Sequence, residues 1–476
     1  MLKTNKKQTI VNISEFIQGS LLPYSVMNNS VINNQFINAA YPEKKLEIRN
    51  GGFGSDAAAH PTNTNQFYAL TDRGPNADFD GSAGKGKQFL TPDYTPRIGL
   101  FELQADGKIK KVKEILLKDA NGNPISGLPN PKALGGTNEI PYDVSGKLMT
   151  VNPDLPFNDL TNPIKNDING LDPEGLAALT DGSFWISDEY GPHLVHYNAD
   201  GVEIARINPF SSDKRNTVII DGNPVLLPTE FANRRPNRGM ESLTITPDQT
   251  TLVGVMESSM DNPDKSGRLS SLTRMVTINL VTGQISQYLY RLNKAQYVIS
   301  GVVALSSHVF YLIEHDREFL LQVASAQKHI YKVDITTATD LEKVTSENSE
   351  LYLDNYSVEQ NKNLGLMIDG QTLEQFIVAT DSNWQTFEKM NIKAADKILV
   401  ADVIAALNYP HDKLEGLWLR EDGSLGLLND DDFCITDSTM TNSAMTDANY
   451  TVEQKYLDKE KTIEDANRLY IVMPSE

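Results

Sequence analysis

Three segments of the chain open on a glutamate and close on further acids at nearly the same spacing. They are DPEGLAALTDGSFWISDEYG (172–191), GMESLTITPDQTTLVGVMES (239–258) and KLEGLWLREDGSLGLLNDDD (413–432). The leading acids are Glu174, Glu241 and Glu415. The closing acids are Asp188 with Glu189, then Glu257, then Asp430 with Asp431. Two looser copies end in Asp72-Arg73 (51–75) and in Glu314, Asp316 and Arg317 (299–318). Carboxylates gathered this densely repel one another and resist ionisation unless something compensates them. Arg73, Arg238 and Arg317 stand beside the acids and can do so. Hard divalent cations, which take about six to eight oxygen ligands, can do so as well. The pattern therefore points to a centre that binds cations, or an anionic substrate gripped by guanidinium groups. Glu174, Glu241, Arg73 and Arg317 are its candidate catalytic residues.

Other chemistries find little support. His193 and His196 are three apart in a strand and face opposite ways, which makes them a poor zinc pair. His315 is the one histidine among the repeated acids and a candidate base. No G-x-S-x-G elbow, phosphate-binding P-loop or dinucleotide fingerprint is present. Asp181, Asp248 and Asp422 fall in the turns between apolar runs, where aspartate serves the backbone.

The elements that must position the acids follow from the runs around them. Each copy is a pair of short apolar stretches about an Asp-containing turn, the signature of an antiparallel hairpin. Further hairpins follow at HLVHYNADGVEIARI and RMVTINLVTGQISQYLYRL, and a further strand at KHIYKVDI. Two hairpins per repeat make a four-stranded sheet, and such sheets repeated radially make a β-propeller. The inner strands are expected to include Leu176–Thr180, Leu243–Thr246 and Leu417–Leu419. The recurring acids would then ring one mouth of the central channel, which a tandem of β-sandwiches would not explain. The fold class is all-β: a single propeller with five readable blades. A sixth or seventh is expected within 119–171 or 346–412, where the pattern fails and insertions are expected. A small helical insertion is predicted over Ile392 to Leu407, ended by Pro410. The ring is expected to close by pairing Arg468–Met473 with a strand near Thr9 to Phe16. Residues 1–50 form an N-terminal segment, and 51–476 the propeller.

Composition narrows the partners. The 476 residues carry 43 Lys and Arg against 63 Asp and Glu, a net charge of −20. That balance argues against nucleic acid and against anionic membrane surfaces. Cys434 is the only cysteine, so no disulfide framework exists, and it reads as a core residue. No run of eighteen apolar residues offers a membrane span. The basic N-terminus lacks the apolar stretch of a leader. It fits either a cytoplasmic protein or an exported one whose leader was removed.

Taken in order, GGFGSDAAAH…FYALTDRGPN, DPEGLAAL…FWISDEYGPHLVHYNADG, NRGMESLTITPD…LVGVMES, YVISGVVAL…FYLIEHDRE and KLEGLWL…GSLGLLNDDDF resemble the phytase-like family, also described as having esterase-like activity of phytase. The resemblance runs from about residue 51 to 432. It implies a β-propeller, exported from bacteria, with phosphoester or ester hydrolase activity. The chain is more remotely similar to calcium-dependent alkaline phytases. By that resemblance the metal ligands are Asp72, Asp172, Glu174, Asp188, Glu189, Glu241, Glu257, Glu314, Glu415, Asp430 and Asp431, and the cofactor is Ca2+. The lysine- and arginine-rich phosphate clamp of alkaline phytases is not evident as a motif. The expected function is a secreted or periplasmic, monomeric, calcium-dependent hydrolase of a small phosphorylated or ester substrate. The alternative is a non-catalytic, calcium-stabilised propeller that binds a protein or glycan.

Overall fold

The computed structural model describes residues 18–27, 46–135, 139–344, 356–380, 382–437 and 452–475. Five four-stranded antiparallel sheets follow one another around a ring. Blade one is Asp56–Ala59, Gln66–Leu70, Arg97–Leu103 and Ile109–Leu116. Blade two is Pro173–Ala178, Phe184–Asp188, Leu194–Tyr197 and Glu203–Ile207. Blade three is Met240–Ile245, Thr251–Met256, Leu272–Asn279 and Ile285–Arg291. Blade four is Val298–Ala304, Val309–His315, Lys328–Asp334 and Asp396–Asp402. Blade five is Gly416–Leu419, Leu425–Leu428, Arg468–Val472 and, from the other end of the chain, Ser20–Leu21.

The first strand of each blade touches the first strand of the next, and the fifth returns to the first. Alternation along each strand gives every sheet two apolar faces. Each face packs on a neighbouring blade. Phe184 and Leu176 meet Tyr68 and Leu70 between blades two and one. Trp185 meets Leu243 and Leu252 between blades two and three. Val253 and Met275 meet Ile299 and Val302 between three and four. Ile313 meets Leu417 and Leu425 between four and five. Trp418 stacks on Phe67, with ring centroids 4.7 Å apart, and closes the ring.

Near the axis the inner strands come very close. A Cβ on Gly175 would lie 2.3 Å from Ser187 Oγ and 2.5 Å from the Leu243 nitrogen, and one on Gly301 would lie 2.3 Å from the Glu415 carbonyl. Only glycine fits such approaches. Blade one places Asp56 at its inner edge, buried and accepting from the backbone of Leu176 (2.7 Å) and Ala57 (2.8 Å). This carboxylate fastens one inner strand to the next.

Three expectations need correction. No sixth or seventh blade exists among the described residues. Of 119–171, Ile140–Tyr142 pairs with Gly84–Phe89, which also pairs with Asn76–Gly81; this small sheet lies beside the mouth. The described part of 346–412 packs a three-stranded sheet and the helices Leu373–Ala379 and Asn383–Lys389 on Leu272 and Leu289 of blade three. It then supplies the outer strand of blade four. The helix expected over Ile392 to Leu407 is therefore mostly that strand. The edge of Lys328–Asp334 offers unpaired backbone groups, and pairing with them overrides local helical preference. Only Val403–Leu407 is helical, capped by Asp402. The ring closes as expected at the C-terminal strand, but its partner is Ser20–Leu21; Thr9 to Phe16 lie outside the described residues.

Candidate functional site: an acid-lined mouth

At one end of the ring a cavity of about 210 Å³ opens among Asp72, Arg73, Glu174, Glu189, Glu241, Arg317 and Lys413. One side is covered by Asn76–Gly81, Gly84–Phe89 and Ile435–Asp437. These contribute Asn76, Lys87 and Thr436 to the lining. Ala77, Leu90, Tyr94, Phe433 and Ile435 form the small core that holds this cover.

Blades two, three and five deliver their charges from two points. One is the start of the innermost strand: Glu174, Glu241 and Glu415. The other lies just past the end of the second strand, where the antiparallel neighbour brings the chain back. There the Glu189 nitrogen donates to the Asp172 carbonyl (3.0 Å) and the Glu257 nitrogen to the Gly239 carbonyl (3.0 Å). Carboxylate oxygens of Asp172, Glu174 and Glu189 lie within 4.8 Å of one another, as do those of Glu189, Glu241 and Glu257. All five residues are buried.

Burial, with Glu241, Asp172 and Glu189 nearby, pushes Glu174 well above the usual carboxylate range. Glu241 is raised in the same way by burial and by Glu257 and Glu189. Burial and Asp172 lift Glu189 to about 8. Burial lifts Asp172 to about 6 despite Arg73, and burial with Asp430 lifts Asp72 to about 7. Glu241 Oε2 and Glu257 Oε2 are buried without a hydrogen-bond partner among the described residues. Buried, unsatisfied acceptors on crowded carboxylates suit hard divalent cations, which bind oxygen and restore the missing positive charge.

The arginines point at the acids, as expected. Arg73 reaches Glu139 (2.6 Å), Asp172 (2.9 Å) and Glu189 (3.6 Å), and donates to Asn237 Oδ1. Arg317 Nη2 lies 2.5 Å from Glu257 Oε1, and Arg238 Nη1 3.7 Å from the same atom. Glu257 first, then Glu241, Glu189 and Glu415, raise the pKa of Arg317 strongly, against the opposing effect of burial.

Blade five repeats the arrangement with a difference. Glu415 and Asp430 occupy the two points, but Lys413 sits between them, 2.6 Å from Asp430, 2.8 Å from Asp432 and 3.8 Å from Glu415. Lys455 adds a second ammonium, 2.6 Å from Asp432. Burial opposes the charge on Lys413, yet Asp430, Asp432 and Glu415 hold its pKa well above the usual lysine value. Asp432, Phe433 and Cys434 all have positive φ (48°, 57° and 64°), a left-handed turn that aims Asp432 at both lysines.

Three expected ligands are elsewhere. Asp188 turns away and accepts from the nitrogens of His193 (2.6 Å) and Gly191 (3.3 Å). Asp431 accepts from the Asn467 nitrogen (3.1 Å), on the side of the closing strand. Glu314 is bound by Tyr290 (2.7 Å), the Asn293 nitrogen (2.7 Å) and Lys397 (2.6 Å). All three miss for one reason. Strand neighbours face opposite ways, so a slip of one residue reverses the side chain. His315, paired with Val298, occupies the blade-four position that holds Glu189 and Glu257 in blades two and three. Its Nδ1 donates to the Asp316 carbonyl, while Nε2 is buried and unpartnered among the described residues. Burial, Lys328 and then Arg317 hold its pKa well below the usual value. Cys434 is buried, as expected.

Sequence reasoning missed Lys413, Lys455, Asp432, Glu139 and Asn237. Lys413 was open to discovery, since it precedes Glu415 by two residues much as Arg238 precedes Glu241 by three. Glu139, Asn237 and Lys455 arrive on loops outside the repeat and left no signal.

An uncharacterized secreted protein of Arthroderma benhamiae is 26% identical over an alignment of 294 positions that covers 54% of this chain. The chain thus spans about half, 53%, of the curated relative it matches. Among solved structures, aldose sugar dehydrogenase of Streptomyces coelicolor is similar at 12% identity, TM-score 0.25, over 58% of this chain and 80% of that one. Hydrazine synthase of Kuenenia stuttgartiensis is similar at 12% identity, TM-score 0.26, over 81% and 97%. At such scores neither likeness bears on what this chain does. A family model described as phytase-like, esterase-like activity of phytase, matches residues 48–433, and the chain belongs to that family.

Proposed function

We propose that the chain is an exported hydrolase of phosphoester or related ester substrates, working at the mouth with a hard divalent cation, calcium foremost. One observation carries the reading: buried carboxylates from two blades converge with Arg73 and Arg317 on one cavity. Asp172, Glu174, Glu189, Glu241 and Glu257 are the residues to hold the cation. Once bound, it would neutralise the acids and polarise an ester oxygen.

The chain's own residues account for the remaining work. Arg317 is engaged among the described residues only through Nη2, and its side chain is 42% exposed. Its other N–H groups are placed to grip anionic oxygens of a substrate. Arg73 is enclosed by Glu139, Asp172 and Glu189 and orients those acids. Glu241, which lines the cavity, would serve the reaction as a ligand to the cation. Export is supported by the secreted relative. No helix among the described residues is long and apolar enough to cross a membrane.

The test is a panel of aryl phosphomonoesters, phosphodiesters and carboxyl esters, assayed with calcium and with chelator. The expected result is turnover of at least one ester with calcium, lost with chelator and reduced about a hundredfold in Glu241→Gln.

A second reading, a non-catalytic propeller that binds a protein or glycan, is favoured by a different observation. Val151, Leu155, Phe157 and Leu160 are exposed on one loop, Leu160 at 93%. The buried Asn162 amide fixes that loop by donating to the carbonyls of Asn152, Leu155 and Pro156, each at 3.0 Å. Apolar side chains on such a support suit a partner surface. Calcium binding without turnover on any ester would leave this reading standing.

A further inference from the structure

We propose that the mouth takes two divalent cations side by side, with Glu189 as the ligand they share. The inference rests on the cation reading above and gives it a number and an address. The two carboxylate trios, Asp172–Glu174–Glu189 and Glu189–Glu241–Glu257, have only Glu189 in common. They are one arrangement repeated by the rotation of the propeller. Glu174 and Glu241 begin the inner strands of adjacent blades. Glu189 and Glu257 follow the second strands, fifteen and sixteen residues later. Because neighbouring inner strands touch, the closing acid of blade two reaches the opening acid of blade three, and the repeats overlap at that residue.

A guanidinium flanks each trio: Arg73 on Asp172 in the first, Arg317 on Glu257 in the second. Neither trio is satisfied by its arginine. Glu241 Oε2 and Glu257 Oε2 are unpartnered among the described residues, although the two residues are 5% and 0% exposed. No ion pair or hydrogen bond among the described residues reaches the carboxylate of Glu174, which is 8% exposed. Three oxygens from each trio leave room for water or substrate oxygens in a coordination shell of about six to eight.

The rest of the ring shows why the number stops at two. Blade five carries the same pair, Glu415 and Asp430, but Lys413 already stands between them. Blade four has Ser300 and His315 at the equivalent points, and no carboxylate. The repeat thus offers the pair three times, with a covalently attached cation in one of them.

Calcium titration by calorimetry on the full chain, with elemental analysis of bound metal after desalting, decides the matter. Two calcium ions per chain are expected. Glu174→Gln and Glu257→Gln should each leave one. Glu189→Gln should weaken both sites by about a hundredfold, the upper range for disturbed metal ligation. Circular dichroism and unfolding curves separate these losses from misfolding. If Glu189→Gln does not fold, the other two variants and the wild-type count still decide. One ion per chain in the wild type, or a Glu189→Gln variant that keeps one site intact, overturns the proposal and leaves the hydrolase reading untouched. No bound ion overturns both the proposal and the cation reading. Two ions without turnover on any ester sustains the proposal and removes the hydrolase.

Discussion

The mouth is built from one motif solved in two ways. At blades two and three the carboxylates face guanidinium groups that reach them from outside the trios, and acceptors on Glu241 and Glu257 stay unmatched. At blade five Lys413 and Lys455 enter the cluster itself and leave Asp430 and Asp432 ion-paired. The comparison separates Asp430 and Asp432, ion-paired within the fold, from Glu241 and Glu257, whose Oε2 atoms stay unmatched among the described residues, as does Glu415 Oε2 at the edge of blade five. Crowding alone does not distinguish them; the identity and position of the counter-charge does.

The largest effect should come from exchanging the two solutions. Lys413→Met removes the ammonium and leaves Asp430 and Asp432 short of a partner. It should cost about 3 kcal/mol in chelator, as for other broken buried pairs. Calcium should restore part of that loss if blade five is a true copy of the motif. Urea unfolding with and without calcium measures both, and an unchanged midpoint in chelator would erase the contrast.

Next is the calcium response itself. At a hundredfold excess over Kd, a ligand bound only by the folded chain adds about 2.7 kcal/mol. Glu174→Gln should lose most of the corresponding rise in Tm at one site. Glu415→Gln should keep it, because Lys413 serves that edge. Equal losses in both variants would mean that the two regions do not differ as described.

The pH dependence has a definite sign. Folded-state values of about 7 for Asp72 and about 8 for Glu189 lie far above the unfolded carboxylate value of about 4. Between those limits the folded chain holds protons that the unfolded chain has released. The stability contributed is full below about pH 4 and is lost as pH rises through the folded values. In chelator the stability, and with it the Tm, should therefore fall between about pH 4 and 8, at up to about 1.4 kcal/mol per pH unit for each group titrating, and level off above. Calcium requires the deprotonated acids, so its stabilising effect should grow over the same range. A Tm in chelator that rises with pH would contradict the raised values.

The smallest effect is expected at Asp181, which accepts from the backbone and hydroxyl of Ser183 in the blade-two turn. Asp181→Asn removes the same formal charge as Glu174→Gln. It should leave the calcium response intact and cost at most about 1 kcal/mol.

Much of this was legible in the sequence. The hairpins, the inner strands and the acids at their starts follow from apolar alternation about Asp-centred turns. Strand pairing then leaves little freedom in where Glu174, Glu241 and Glu415 must lie. Legibility failed where a single residue of register decides the face, as at Glu314 and Asp188. It failed again where tertiary pairing outweighs local preference, as at Asp396–Asp402. Lys455 was not legible, because an ammonium group on a loop outside the repeat carries no period.

The strand Ser20–Leu21 also constrains the order of events during synthesis. Blades one, two and three each draw their four strands from one stretch of chain, so each can assemble as its own segment emerges. Blade five cannot, because Ser20 pairs with Leu469. The ring stays open until Leu469 is made, and the early strand must wait unpaired. Closing so long a loop is slow, and the waiting edge is open to wrong partners. A chain cut before residue 468 would keep four complete sheets and an open seam, with Trp418 and Leu428 of the last interface left beside it.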